Sequence, residues 1–406
     1  MHNPLPFAHL APLAPVVMGA AFWVSLLVIL YTYLGYPMMI WVLSRLRPRP
    51  WHTAPFQPSV SVVMAVHNGM AQLDWKIRHL LSLDYANIKE IIVISDGSTD
   101  GTAEYLRDLN APRVRAFIQN DQRGKAAALN LGLARATGEI VLFIDIRPEV
   151  APGAIGRLVE NFADRWVGCV SGELILRQEG HDATSAAVGG LYWRYEQWIR
   201  KCEARVDSPV GVYGGFYAVR RAAAVPQPEG IILDDMYQPL SIIRLGFRSV
   251  FDDRALVYDT WPKKIEGEFN RKVRTLAGNF QLVQMAPWIL GPSNRVFFQL
   301  FSHKLMRLVV PYALVTLLVT SFALAPGSLG FTLFSLVQIS GWLLALVGQK
   351  VKIPVLGKLA APAGALMVLN AAAVVGFYKF LFTRGPLWKI WKPQIPVVPT
   401  PGKASI

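Results

Sequence analysis

Apolar residues are distributed unevenly along this chain. A run over 16–43 carries no charged side chain, and its length exceeds the roughly 20 residues that a helix needs to cross hydrocarbon. Arg45, Arg47 and Arg49 follow at once. Clustered arginines mark the cytoplasmic end of a span, so the N-terminus is expected outside. The run has no basic stretch before it and is too long for a signal core, so no cleavable leader is expected. Tyr31, Tyr33, Tyr36 and Trp41 are aromatics of the kind that settle at a membrane interface. Further apolar runs lie at 305–324, 331–347 and 363–382. Lys304 and Arg307 put the start of the second span inside, the uncharged 325–330 turn lies outside, and Lys350, Lys352 and Lys358 put the next loop inside. Strict alternation leaves the C-terminus outside, where Arg384, Lys389 and Lys392 oppose it. Either the last segment is re-entrant or interfacial, or the charge rule yields there.

The pattern changes after a Pro-containing linker at 48–58. Short apolar runs at 60–66, 90–95, 114–118 and 140–144 alternate with helical patterns at 71–83, 102–109 and 126–136. Such alternation implies an α/β fold, a mostly parallel sheet with helices on both faces. The expected organisation is an N-terminal transmembrane helix at 16–44 and a cytoplasmic α/β domain at 55–290. An interfacial helix and about three transmembrane segments follow at 291–385.

Composition sharpens this picture. Of 406 residues, 53% are hydrophobic, against about 45–50% for an ordinary globular domain. The formal charge of +14 suits anionic lipid, nucleic acid or phosphorylated substrates. The basic residues cluster beside the spans and form no aromatic-lined stripe, which disfavours nucleic acid. Cys169 and Cys202 form neither a metal-ligand spacing nor a disulfide framework and are expected as reduced thiols.

In open α/β sheets, ligands bind beyond the carboxyl ends of the strands. His67-Asn68-Gly69 follows the first strand, Asp96 to Thr102 the second, and Asp145-Ile146-Arg147 the 140–144 strand. A carboxylate at Asp96 can accept hydrogen bonds from a base edge or from ribose hydroxyls. The alternative is a turn acid capping the next helix, which is the preferred reading for Asp100. Arg123-Gly124-Lys125 opens a helix, where basic groups oppose the dipole unless an anion sits there; a solvated basic turn is the alternative. Asp145 is a candidate ligand for Mg2+ or Mn2+, which would neutralise a departing diphosphate.

Asp234-Asp235 can take the proton of an acceptor hydroxyl, or one of the pair can cap the helix that follows. Arg271, Lys272 and Arg274 suit phosphate clamping or a basic helix lying on anionic head groups. The stretch 191–200 carries Tyr192, Trp193, Tyr195 and Trp198. It reads as an interfacial seat for an acceptor or as a core helix.

Together these residues resemble the family 2 glycosyltransferases of GT-A fold, in particular the membrane-bound bacterial type related to cellulose, poly-N-acetylglucosamine and hyaluronan synthases. The resemblance runs from about 60 to 282. It rests on Ile91 to Thr102, Gly124 to Asn130, Gly214 to Arg221 and Leu233-Asp234-Asp235. It implies that Asp96 contacts the nucleotide and that Lys125 lies near base or phosphates. It makes Asp145 the first acid of a metal-binding D-x-D, Asp235 the general base, and Arg274 the arginine of Q-x-x-R-W near the diphosphate.

Departures are Gly69 where many members carry an acid, Arg147 in place of the second D-x-D acid, and Arg271 and Thr275 in place of the Gln and Trp of Q-x-x-R-W. Arg147 weakens the case for a metal and is itself a candidate phosphate contact. The missing Trp leaves processive polymerisation unsupported. The expected function is inverting transfer from a nucleotide-sugar, a UDP-sugar by family frequency, to a lipid-linked or saccharide acceptor at the cytoplasmic membrane face. Alternatives are a polyprenyl-phosphate glycosyltransferase, a processive synthase, and a non-catalytic scaffold. Asp145-Ile146-Arg147 leans toward the scaffold; Asp234-Asp235 and Arg274 count against it.

Overall fold

The computed structural model describes residues 14–177, 183–260, 265–348 and 354–390. Lys350, Lys352 and Lys392, on which the orientation reading leans, lie outside the described residues. The strands are β1 Val60–Val66, β2 Ile88–Asp96, β3 Val114–Gln119, β4 Ile140–Ile144, β5 Glu149–Val150, β6 Val167–Arg177, β7 Phe216–Arg220 and β8 Arg248–Thr260. They form one sheet in the order β3-β2-β1-β4-β7-β6-β8-β5. The first four pair in parallel. Ile91, Ile92, Val93 and Ile94 of β2 have no exposed surface, as expected of a central strand covered on both faces.

The expected mostly parallel sheet is present, and the second half adds its antiparallel members. β7 runs antiparallel between β4 and β6, β6 and β8 pair in parallel, and β5 closes the edge antiparallel to β8. The sheet is therefore mixed. β8 escapes a hydrophobic pattern because Asp252, Asp253, Arg254 and Asp259 interrupt it. Its length is sustained by pairing with β6 instead. Both cysteines are buried and free.

Among the described residues, four helices are long and apolar enough to cross a membrane: Ala14–Leu46, Phe297–Gly327, Leu329–Leu346 and Ala363–Phe382. The first two each contain a π-helical turn, at Tyr31–Gly35 and Phe301–Leu305. Tyr31 Oη lies 2.7 Å from Ser302 Oγ across these turns. Phe22 meets Phe331 and Phe334 edge-on, an arrangement that aromatic quadrupoles favour. The helix Ile265–Met285, which bears Arg271 and Arg274, packs on Pro354–Phe382 through Phe280, 4.9 Å from Phe377 and 5.7 Å from Phe380 between ring centroids. The last apolar helix is thereby tied to the basic helix.

Candidate active site

The first acid shapes a loop. Asp96, at the end of β2, accepts the backbone N–H of Arg123 (2.7 Å) and of Gly124 (2.8 Å) on its two oxygens. Gly97 has φ +61°, and a Cβ there would lie 2.4 Å from Gln122 N, so this turn requires glycine. Asp96 thus pins the 122–124 loop at the entrance of the helix Lys125–Arg135. Asp100 accepts from Met70 N (3.0 Å), Thr102 N (3.1 Å) and Thr102 Oγ1 (2.6 Å). It is a turn acid, as preferred from the sequence. Asn68 Oδ1 accepts from Thr99 N (2.7 Å) and joins the loops after β1 and β2.

Lys125 is the centre of the acid cluster. Its Nζ lies 3.1 Å from Asp145 Oδ1, 3.2 Å from Asp234 Oδ2 and 3.3 Å from the carbonyl oxygen of Gly214. Burial works against its charge, yet Asp145, Asp234 and Asp235 hold the ammonium above its ordinary pKa. Asp145 follows β4 directly and donates its backbone N–H to Gly215 O (3.1 Å), so the Gly214-Gly215 turn brings β4 and β7 together at this point.

Asp234 and Asp235 form the first turn of the helix Asp234–Arg244, whose N-cap is Leu233 without a side-chain cap. Neither acid is therefore the cap that the sequence left open; both sit where the dipole favours a negative charge. A Cβ on Gly214 would come within 2.9 Å of Asp235 Cβ. Burial, and then the neighbouring Asp234, push the Asp235 carboxyl up to about 6, against Lys125, Arg200 and Lys304. Arg274 feels the same acids: burial lowers its pKa, while Asp234, Asp235 and Asp145 oppose that. Arg271 acts on Asp259 and Tyr213. The structure thus brings Lys125, Asp145 and Asp234 into contact, with Asp235 beside them and Arg274 in their field. Asp96 is linked to them through the 122–124 loop.

The donor set for a metal is thin. Asp145 shares its carboxylate with Lys125. Arg147 turns to the mostly buried Asp259, 3.1 Å away. Lys76, with no exposed surface, donates to the carbonyl oxygen of Pro148 beneath this loop. Burial lowers its pKa to about 7, opposed by Asp145, Asp259 and Glu149. Among the described residues no group of three or more His, Cys, Asp or Glu side chains gathers to hold a metal ion. These residues do not fit a resident divalent cation well.

Sequence reasoning missed Lys76, although a signal existed. Leu73, Lys76, Ile77 and Leu80 are the buried positions of one helix, the spacing of an apolar stripe. It also missed Trp388, which lies against Gly124.

A second polar cluster faces the apolar helices. Glu196 and Glu203 project from the helix Ala183–Val206. His303 bridges them, with Nδ1 2.8 Å from Glu203 Oε1 and Nε2 3.0 Å from Glu196 Oε2. Tyr36 donates to Glu203 (2.6 Å), Lys304 to Glu196 (3.1 Å), and Arg307 to Glu196 and to Tyr192 Oη (2.9 Å). Lys304 and Arg307, read from sequence only as orientation signals, are therefore engaged with a buried carboxylate. Burial works against the Glu196 charge, but Arg307, Lys304 and His303 hold it well below the ordinary carboxylate range. The aromatic residues of this helix tie it to its surroundings: Trp193 donates to Leu174 O (3.0 Å) and Tyr195 to Tyr33 O (2.9 Å).

Comparison with known proteins supplies the family. Residues 61–226 match the model described as Glycosyl transferase family 2. Poly-beta-1,6-N-acetyl-D-glucosamine synthase of Staphylococcus epidermidis is 26% identical over 238 residues, which are 56% of each protein. Its counterpart in Staphylococcus aureus is 25% identical over 233 residues, 55% of each. The chain thus spans about half the length of the curated relatives it matches. A mannosyltransferase from Pyrobaculum calidifontis, solved in complex with GDP-Man and Mn2+, is similar in fold. Its TM-score is 0.67 at 22% identity, over 89% of this chain and 99% of that one. With the family model spanning Asp96 and Asp145 at strand ends and Lys125 at a helix start, residues 61–226 are a family 2 glycosyltransferase domain on a GT-A-like sheet, with four apolar helices beside it among the described residues.

Proposed function

We propose that this protein is an inverting membrane glycosyltransferase. It transfers a sugar from a nucleotide-sugar, a UDP-sugar in the preferred reading, to a lipid-linked or saccharide acceptor at the cytoplasmic face. The observation that carries the proposal is Lys125 held between Asp145 and Asp234 with the raised carboxyl of Asp235 beside it. Asp235 takes the proton of the acceptor hydroxyl, whose oxygen forms the new bond to the anomeric carbon. The bond from that carbon to the diphosphate breaks on the opposite face, and its electron pair leaves with the nucleoside diphosphate. Lys125, Arg271 and Arg274 receive that charge, Asp96 and Asp234 position the nucleotide loop and the ammonium, and inversion follows.

The mannosyltransferase's Mn2+ suggests a divalent cation in such sites. Here Asp145 is the one candidate ligand, and no step above depends on it. The proposed division is a transmembrane helix at 16–44, a cytoplasmic domain at 55–290 and membrane segments at 291–385.

The test is purified protein in detergent given labelled UDP-glucose, UDP-N-acetylglucosamine and GDP-mannose with a lipid extract. Nucleoside diphosphate release with label entering lipid or saccharide supports the proposal. Release that stays unchanged in Asp235→Asn would refute it.

A further inference from the structure

We infer that the donor diphosphate is gripped by cations built into the chain, Arg147 and Lys125 with Lys76 beneath them, so that nucleotide binding requires no divalent metal. The inference rests on the donor reading above and concerns how the same site manages charge.

Three observations support it. The position two residues after Asp145 carries Arg147. Exchanging an acid for an arginine moves the local charge from one negative to one positive, a swing equal to the charge of Mn2+. A guanidinium also grips phosphate oxygens as a fork, with directed hydrogen bonds that a second carboxylate could offer only through an ion. Secondly, the remaining acid is engaged: Lys125 Nζ sits 3.1 Å from Asp145 Oδ1, where a cation bound to that oxygen would meet the ammonium. Mg2+ and Mn2+ take oxygen ligands, one or two carboxylates together with substrate phosphates, and this site offers one that is already shared.

Thirdly, the loop bearing Arg147 is underpinned by a buried lysine. Lys76 donates to Pro148 O, with Asp145, Asp259 and Glu149 as the acids that act on it. Arg147 is about half exposed (46%) and its partner Asp259 is not (7%). The guanidinium can therefore turn to an incoming phosphate while the buried acid stays behind, at the end of β8.

The test is calorimetric titration of the full protein in detergent with UDP and with GDP, once in EDTA and once in millimolar Mn2+. The free Mn2+ signal is followed in parallel by electron paramagnetic resonance. Affinities within about threefold of each other in the two buffers are expected, with free Mn2+ undiminished when protein is added to nucleotide. A larger gain in Mn2+ overturns the inference. Arg147→Asp recreates the paired acids. It is expected to lose about tenfold or more in EDTA, to recover in Mn2+, and to draw down the free Mn2+ signal. Arg147→Gln, which adds no acid, is expected to lose affinity in both buffers without recovery, while Arg147→Lys, which keeps the charge and loses the fork, is expected to fall between Arg147→Gln and the parent. If Arg147→Asp and Arg147→Gln bind nucleotide in EDTA as tightly as the parent, the assigned grip is wrong. If the unsubstituted protein binds neither nucleotide in either buffer, the donor reading fails and this inference falls with it.

Discussion

Among the described residues, an open charge cluster and a buried one are built to opposite ends. At the carboxyl end of the sheet, Lys125 and Asp145 are each 38% exposed, and Lys125 pairs with both Asp145 and Asp234. At the membrane side, Glu196, Glu203, His303 and Arg307 have side chains at most 6% exposed, and they pair with one another. An open cluster can exchange an internal partner for a ligand anion. A closed one cannot without losing contacts that offset the cost of dehydrating its charges. The first is suited to chemistry. The second fixes the helix Ala183–Val206 against the first two apolar helices, and so fixes the sheet relative to them.

That contrast can be broken by substitution. The largest effect is expected for Asp235→Asn, with transfer lowered about 100-fold or more and nucleotide affinity retained, measured by label transfer and by titration. The Asp235 carboxyl is raised to about 6 from an ordinary 3.8, so ionising it disfavours the fold as pH rises through that window. The variant should therefore unfold at no lower temperature than the parent at pH 7.5. Next is Glu196→Gln, which strands Arg307 and Lys304 beside a neutral amide. A loss of about 3–5 kcal/mol in stability is expected, read by unfolding in detergent, with nucleotide affinity unchanged in the protein that remains folded. Equal damage to nucleotide binding would mean that the two clusters are one.

Acid pH separates them without substitution. Transfer should fall about tenfold per pH unit below about 6, as Asp235 gains the proton that disables it as a base. Glu196 is held well below the ordinary range. A depressed carboxylate keeps its contribution until pH falls through its folded value, so the membrane-side cluster should persist at pH 5. A rate profile set beside unfolding temperatures over pH 5–8 would show the two diverge; parallel loss of both contradicts the assignment. The smallest effect is expected for Gly214→Ala. Its Cβ would approach Asp235 Cβ at 2.9 Å and displace the base, lowering transfer about tenfold with nucleotide affinity kept.

The comparison also explains what could be read from sequence. Strands β1, β2 and β4 were legible because Ile91 to Ile94 and their counterparts are apolar on both faces, and β3 because Val114, Ala116, Phe117 and Ile118 still make an apolar run. The apolar helices were legible by length. Asp145, Lys125 and Asp235 were legible as acids and a cation at strand and helix ends. β5 to β8 were not, because β8 carries charges that are compensated across the fold: Asn161 Nδ2 donates to Asp252 Oδ2 (2.7 Å), Lys201 pairs with Asp253 and Arg147 with Asp259. The membrane-side cluster was hidden for a different reason. Glu196 and His303 are 107 residues apart, and nothing local to either signals that they meet. Asp96 shows a third limit: its place at the strand end was plain, but that both oxygens hold backbone N–H groups depends on how a loop 27 residues away folds back.

The most direct measurement is an experimental structure of the full chain with UDP or GDP bound in detergent or nanodisc. The account predicts a diphosphate within hydrogen-bond reach of Lys125 Nζ, on the side shared with Asp145, with Asp235 facing the vacant acceptor side. A nucleotide seated elsewhere, with Lys125 still closed on Asp145 and Asp234, would contradict it.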